Sequence, residues 1–166
     1  DFEGNEENSW VIGESIIEYD SPALANLDND GDLEIIVFHG VGDSESLVAY
    51  NYDGSFVFGW PLDNISFAGY SSPTVVDICG DGKPEIAVLY TDKADEYRLK
   101  FVILSSSGQI LSSNYIGEDG LPITVWSSAV IKDIDGDGKL ELIFSWAVNY
   151  IGSPGEAYIE IYQLDI

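Results

Sequence analysis

Histidine and cysteine are almost missing from this 166-residue chain, which has one of each. Zinc centres need several such ligands, so a zinc site is excluded. Cys79 alone forms no internal disulfide and leaves the redox compartment open. Positive charge is also scarce: 6 Lys and Arg face 30 Asp and Glu, for a net charge of −24. Without a basic patch to release counterions, nucleic acid and anionic membrane surfaces are excluded as direct partners. No apolar run approaches the ~20 residues of a membrane-spanning helix. No window keeps a 3.6-residue period between caps, so no helix is predicted. The chain starts at Asp1 rather than Met, which fits either a mature secreted protein or a trimmed piece.

The chain does have 45% hydrophobic and 13% aromatic residues, enough for a folded domain with a core. Its acids concentrate in a repeated loop. Asp133-Ile134-Asp135-Gly136-Asp137-Gly138-Lys139-Leu140-Glu141 has carboxylates at positions 1, 3, 5 and 9 and Gly at 6. Oxygens on alternate residues of a tight loop wrap a hard cation, and Ca²⁺ suits their number and loose geometry. Asn26, Asp28, Asp30, Asp32 and Glu34 repeat the pattern at positions 1, 3, 5, 7 and 9. Asp77, Asp81, Lys83 and Glu85 repeat it at 1, 5, 7 and 9, with Cys79 at position 3. Lys83 and Lys139 offer only backbone carbonyls. A thiol suits softer metals, so two or three Ca²⁺ per chain are expected. Each would offset two negative charges.

The loop starts lie 51 and 56 residues apart, which makes an internal repeat. An EF-hand would place an acid at position 12 and helices on both sides. Val37, Val88 and Phe144 occupy that position, followed by short β-branched and aromatic runs. These read as strands buried on both faces.

Ser72-Pro73-Thr74-Val75-Val76-Asp77, its counterparts Ser21–Asn26 and Ser128–Asp133, and Gly59-Trp60-Pro61 resemble the FG-GAP and VCBS-type β-propeller repeats of integrin α heads and secreted microbial proteins. That resemblance implies four-stranded blades with Ca²⁺ between the first two strands, and an extracellular setting. It implies no single activity. The expected fold is all-β, with blades at 21–63, 71–118 and 122–166. Strands A to D are expected at 22–27, 34–39, 46–52 and 55–60, then at 73–77, 85–90, 99–105 and 109–115. In the third blade, A to C fall at 124–132, 141–148 and 157–164, and the fourth strand is lacking.

An unassigned strand near Ser9–Gly13, within residues 9–20, is expected to complete that last blade in trans or in cis. Propellers have four to eight blades, so three bend too tightly to close. Strand exchange between copies would give a ring or a filament; the other reading is a fragment of a longer propeller.

His39 is expected to be structural or exposed, because no nucleophile turn accompanies it. A glycosidase needs two acids at a set separation, but the well-placed acids are committed to the loops. No enzyme is expected. Trp10, Trp60, Trp126 and Trp146 suit packing between blades, with stacking on sugars as the alternative. A glycan or protein ligand is therefore an open partner class. Asn64-Ile65-Ser66 is a glycosylation sequon in a connection between blades.

Overall fold

In the computed structural model the described residues are 8–11, 21–41, 44–60, 67–68, 71–92, 95, 98–116, 123–125, 127–148 and 155–165. The sequon, residues 12–20 of the N-terminal segment and the 152–154 part of the last predicted turn lie outside them, as does the His39 side chain.

Among the described residues, twelve strands form three antiparallel sheets and there is no helix. Sheet 1 runs β1 (Ala23–Ala25), β2 (Glu34–Val41), β3 (Ser44–Tyr50). Sheet 2 contains β4 (Phe67–Ala68), β5 (Thr74–Val76), β6 (Glu85–Asp92), β7 (Arg98–Leu104) and β8 (Ile110–Ile116). Sheet 3 contains β9 (Ile123–Thr124), β10 (Val130–Lys132), β11 (Glu141–Val148) and β12 (Glu156–Gln163). The Val, Ile, Leu and Phe runs that follow each loop thus form the second strand of each sheet, as their β-branched composition dictates.

The sheets stack face to face. Ile36, Phe38, Leu47 and Ala49 of sheet 1 pack with Ile86, Val88, Tyr90, Val102 and Leu104 of sheet 2. The other face of sheet 2, carrying Ala87, Leu89, Leu99, Phe101 and Ile103, packs with Ile131, Leu142, Phe144 and Trp146 of sheet 3. Strand alternation lets one strand serve two cores. Ser21 N donates to Ser72 Oγ at 2.9 Å and Thr74 Oγ1 to the Ala129 carbonyl at 2.6 Å, joining neighbouring sheets through the segments that lead into the loops.

Sheet 3 ends its order at β12, and no ring closes among the described residues. Two expectations are corrected. First, no strand forms over 55–60, so sheet 1 has no fourth strand among the described residues. Phe56 makes a single bridge to Tyr50, and Val57 N donates to the Ala49 carbonyl at 3.0 Å. Gly59 then turns at φ 92°. Trp60 is thereby sent into the core between sheets 1 and 2, where its indole N–H reaches the Ser106 carbonyl at 3.2 Å.

Second, the predicted strand at 124–132 is broken into β9 and β10. Five residues separate Thr124 from Val130, while three separate their partners Ala147 and Ile143. Ser127 Oγ spans the resulting bulge, donating to the Ser145 carbonyl at 3.1 Å and accepting from Ser145 N at 3.3 Å. A side chain thus replaces the missing ladder partner. β4 and β5 show the same five-against-three break opposite β6.

Residues 8–11, the described part of the predicted exchange strand, join no ladder within the chain. Asn8 Nδ2 donates to the Tyr52 carbonyl at 2.8 Å, and Trp10 lies against Tyr50, with ring centroids 6.3 Å apart. These described residues thus lie against the first sheet.

Candidate metal centres

Each loop joins two strands that pair antiparallel in one sheet, β1 to β2, β5 to β6 and β10 to β11. The backbone is left-handed at position 6 of every loop: Gly31 (φ 101°), Gly82 (85°) and Gly138 (88°). It is also left-handed at position 4: Asn29 (65°), Gly80 (69°) and Gly136 (81°). Glycine adopts this region freely, and asparagine tolerates it better than most residues. The two reversals curl the loop so that its side chains turn inward. Aspartates at positions 3 and 5 then accept from amides two residues on, as in Asp32 N to Asp30 Oδ1 (2.8 Å), Asp137 N to Asp135 Oδ1 (3.0 Å) and Lys139 N to Asp137 Oδ1 (2.8 Å). The requirement at position 4 escaped sequence reading, although Asn, Gly and Gly at that position were its signal.

The closing glutamate is the buried member. Glu34, Glu85 and Glu141 are 1%, 4% and 5% exposed. One oxygen of each accepts from the amide at position 2: Leu27 N (2.5 Å), Ile78 N (2.7 Å) and Ile134 N (3.0 Å). In loop three the other oxygen, Glu141 Oε1, is buried with no partner; so is Asn26 Oδ1 in loop one. Buried orphan acceptors are costly unless a donor or a cation meets them. Burial pushes the Glu34 carboxyl above its ordinary range, and Asp28 and Asp30 add to the effect against the pull of the Leu27 amide. That is the signature of a carboxylate short of positive charge.

Two groups converge. Asp28, Asp30 and Glu34 bring ligand oxygens within 4.8 Å of one another, and so do Asp133, Asp135 and Glu141. Either group can hold a metal ion, and hard oxygen donors with orphan acceptors fit a hard cation. Of the other predicted ligands, Asp32 and Asp137 lie outside these trios, and Asn26 contributes the orphan oxygen. Loop two is not brought together among the described residues. Asp77 spends both oxygens on the Asp81 and Gly82 amides (3.1 and 2.9 Å), and Glu85 Oε2 takes both Ile78 N and Cys79 N. Cys79 is exposed; desolvation and then the Glu85 and Asp81 charges push its thiol up, away from the thiolate a metal would need.

Among the described residues no helix is long and apolar enough to cross a membrane. No curated protein and no solved structure matches the chain. A family model does match, over residues 26–88, from the first position of loop one into strand β6. That stretch of the chain is similar to FG-GAP-like repeats.

Proposed function

We propose that the protein is a non-enzymatic, extracellular, calcium-stabilised module of structural or adhesive type, whose copies join head to tail by terminal strand exchange. The open edge of β12 carries this reading. Its eight residues ladder with β11 on one side, and no strand among the described residues pairs on the other. In sheet 2 the same side is taken by β8. An unpaired edge is a template for another extended segment, and Ser9–Gly13 of a neighbouring copy is the proposed occupant. The converging acids support Ca²⁺ in loops one and three, where it would neutralise clustered carboxylates and pin the first turn of each sheet. Because these acids are taken up by the loops, they are not free to act as a general acid and base.

Light scattering on the full chain in calcium and in chelator tests this reading. Assemblies that fall to monomers when residues 1–13 are deleted are expected. Assemblies unchanged by that deletion would overturn strand exchange.

A second reading has its own observation. A cleft of about 390 Å³ lies between β8 and the end of β12, lined by Ser112, Asn114, Tyr115, Tyr162 and Asp165 among others. Exposed tyrosines beside amide and hydroxyl groups suit a glycan. Asn114→Ala should abolish any glycan binding found on an array; unchanged binding would place the ligand elsewhere.

A further inference from the structure

We infer that the outward face of sheet 3 docks on the outward face of sheet 1 in a second copy of this chain. The inference rests on the self-assembly reading above and adds the surfaces that meet. It follows from the registers. Every sheet pairs its strands the same way, so equivalent positions can be matched by partner. Leu47 faces Phe38, Phe101 faces Leu89 and Ile159 faces Ser145. Ala49 faces Ile36, Ile103 faces Ala87 and Ile161 faces Ile143. These two sets are the front of each sheet. In sheets 1 and 2 the front covers the back of the next sheet, and Leu47, Phe101, Ala49 and Ile103 are 0%, 6%, 0% and 0% exposed. Ile159 and Ile161 are 75% and 55% exposed. Val130 and Ile143 complete the same apolar face.

The back faces match in the same way. Val75 with Ile86, and Ile131 with Leu142, are paired positions that lie inside the two internal cores. Their counterparts in sheet 1 are Leu24 and Ile35, and Leu24 is 58% exposed. Beside them an open hollow of about 310 Å³ is lined by Trp10, Pro22, Ile35, Val37 and Tyr50. Among the described residues the chain therefore presents an uncovered front on sheet 3 and, on sheet 1, a back that is open at Leu24 and this hollow, while Val48 and Tyr50 on its β3 side are 1% and 4% exposed and Trp10 lies against Tyr50. Both have the chemistry of surfaces that already meet twice inside the molecule. Soluble proteins rarely leave such contiguous apolar faces free. Because the two faces differ, the contact is heterologous, and each copy keeps one face for a further neighbour.

The test is sedimentation of the full chain and of two variants in calcium. Ile159→Glu with Ile161→Glu spoils the front, and Leu24→Glu spoils the back. All three residues are exposed, so thermal stability should stay near that of the parent chain. Each variant alone should associate about thirtyfold more weakly or worse. Mixed, they should form a dimer through the one intact front and the one intact back, a species neither forms alone. Ile159→Thr with Ile161→Thr keeps the β-branched shape and should weaken association in the same direction, which covers the case of a poorly folding glutamate variant. Variants that assemble like the parent, or a parent chain that is monomeric at every concentration, would overturn the inference. Deletion of residues 1–13 separates the two ideas. If it dissolves assemblies that the face variants leave intact, strand exchange stands and face docking falls. The reverse pattern keeps face docking alone.

Discussion

Gln163, at the end of β12, donates its side-chain amide to Oδ2 of Asp137 at 3.1 Å, while Lys139 Nζ reaches Gln163 Oε1 at 3.2 Å. Asp137 stands at position 5 of loop three, yet it lies outside the converging trio, whereas Asp30 at position 5 of loop one lies inside its own. The registers explain the difference. Gln163 faces Glu141 in the ladder. The matching position in sheet 1 is Asn51, whose shorter amide bonds Ser55 Oγ instead. Gln163 therefore draws a ligand away from loop three. Gln163→Ser should free Asp137 and tighten calcium at that loop by about tenfold, the weight of one modest hydrogen bond. Isothermal titration checks this, and unchanged affinity would count against it.

Calcium should bind two sites per chain with clearly higher affinity than any third. At about a hundred times the dissociation constant each site should add roughly 2.7 kcal/mol, or roughly 5–10 °C in thermal midpoint. Asp30→Asn should remove the contribution of loop one and Asp135→Asn that of loop three. Proton competition fixes the pH window. The Glu34 carboxyl titrates above its ordinary value of 4.5 in the folded chain, so the gain at loop one is full at neutral pH and is lost as pH falls through that raised value. Scanning calorimetry with calcium and with chelator measures both effects.

Gly59 ties sheet 1 to sheet 2. Its φ is +92°, and an added Cβ would sit 2.9 Å from the Ser107 carbonyl oxygen. Gly59→Ala should lower unfolding free energy by roughly 1–3 kcal/mol through backbone strain and displacement of the β7–β8 turn. Urea unfolding of the parent and the variant provides the comparison.

Alkaline pH should destabilise the chain before it affects the loops. Tyr115 and Tyr162 are each pushed up to about 12, first by desolvation and then by the hydrogen bonds of their hydroxyls to Asp92 and Glu160. A tyrosine whose folded value exceeds its unfolded value near 10 favours the folded state fully below pH 10. That preference is lost as pH rises toward 12. Tyrosinate absorbance should show these residues ionising late, together with a falling thermal midpoint.

The loops were the most legible part of the chain, because ligand spacing is written directly in Asp and Gly. The β2, β6 and β11 strands were equally plain from their apolar runs. Strand breaks were harder to see. The bulge between β9 and β10 depends on a Ser127 hydroxyl standing in for backbone, and Ser-Ser reads the same inside a strand or outside it. The segment 55–60 alternates like a strand, but Gly59 and the reach of Trp60 to Ser106 override that pattern. Loop two looked weak because of Cys79. With a thiol in place of the position-3 carboxylate, its acids form no converging group among the described residues.

The stacking of one sheet on the next has a thermodynamic consequence. Sheet 2 meets another sheet on both faces, while among the described residues sheets 1 and 3 each meet one. Unfolding then resembles the melting of a short one-dimensional array governed by nearest-neighbour terms. The outer layers open first and the β6–β7 hairpin opens last, so amide exchange should be slowest there.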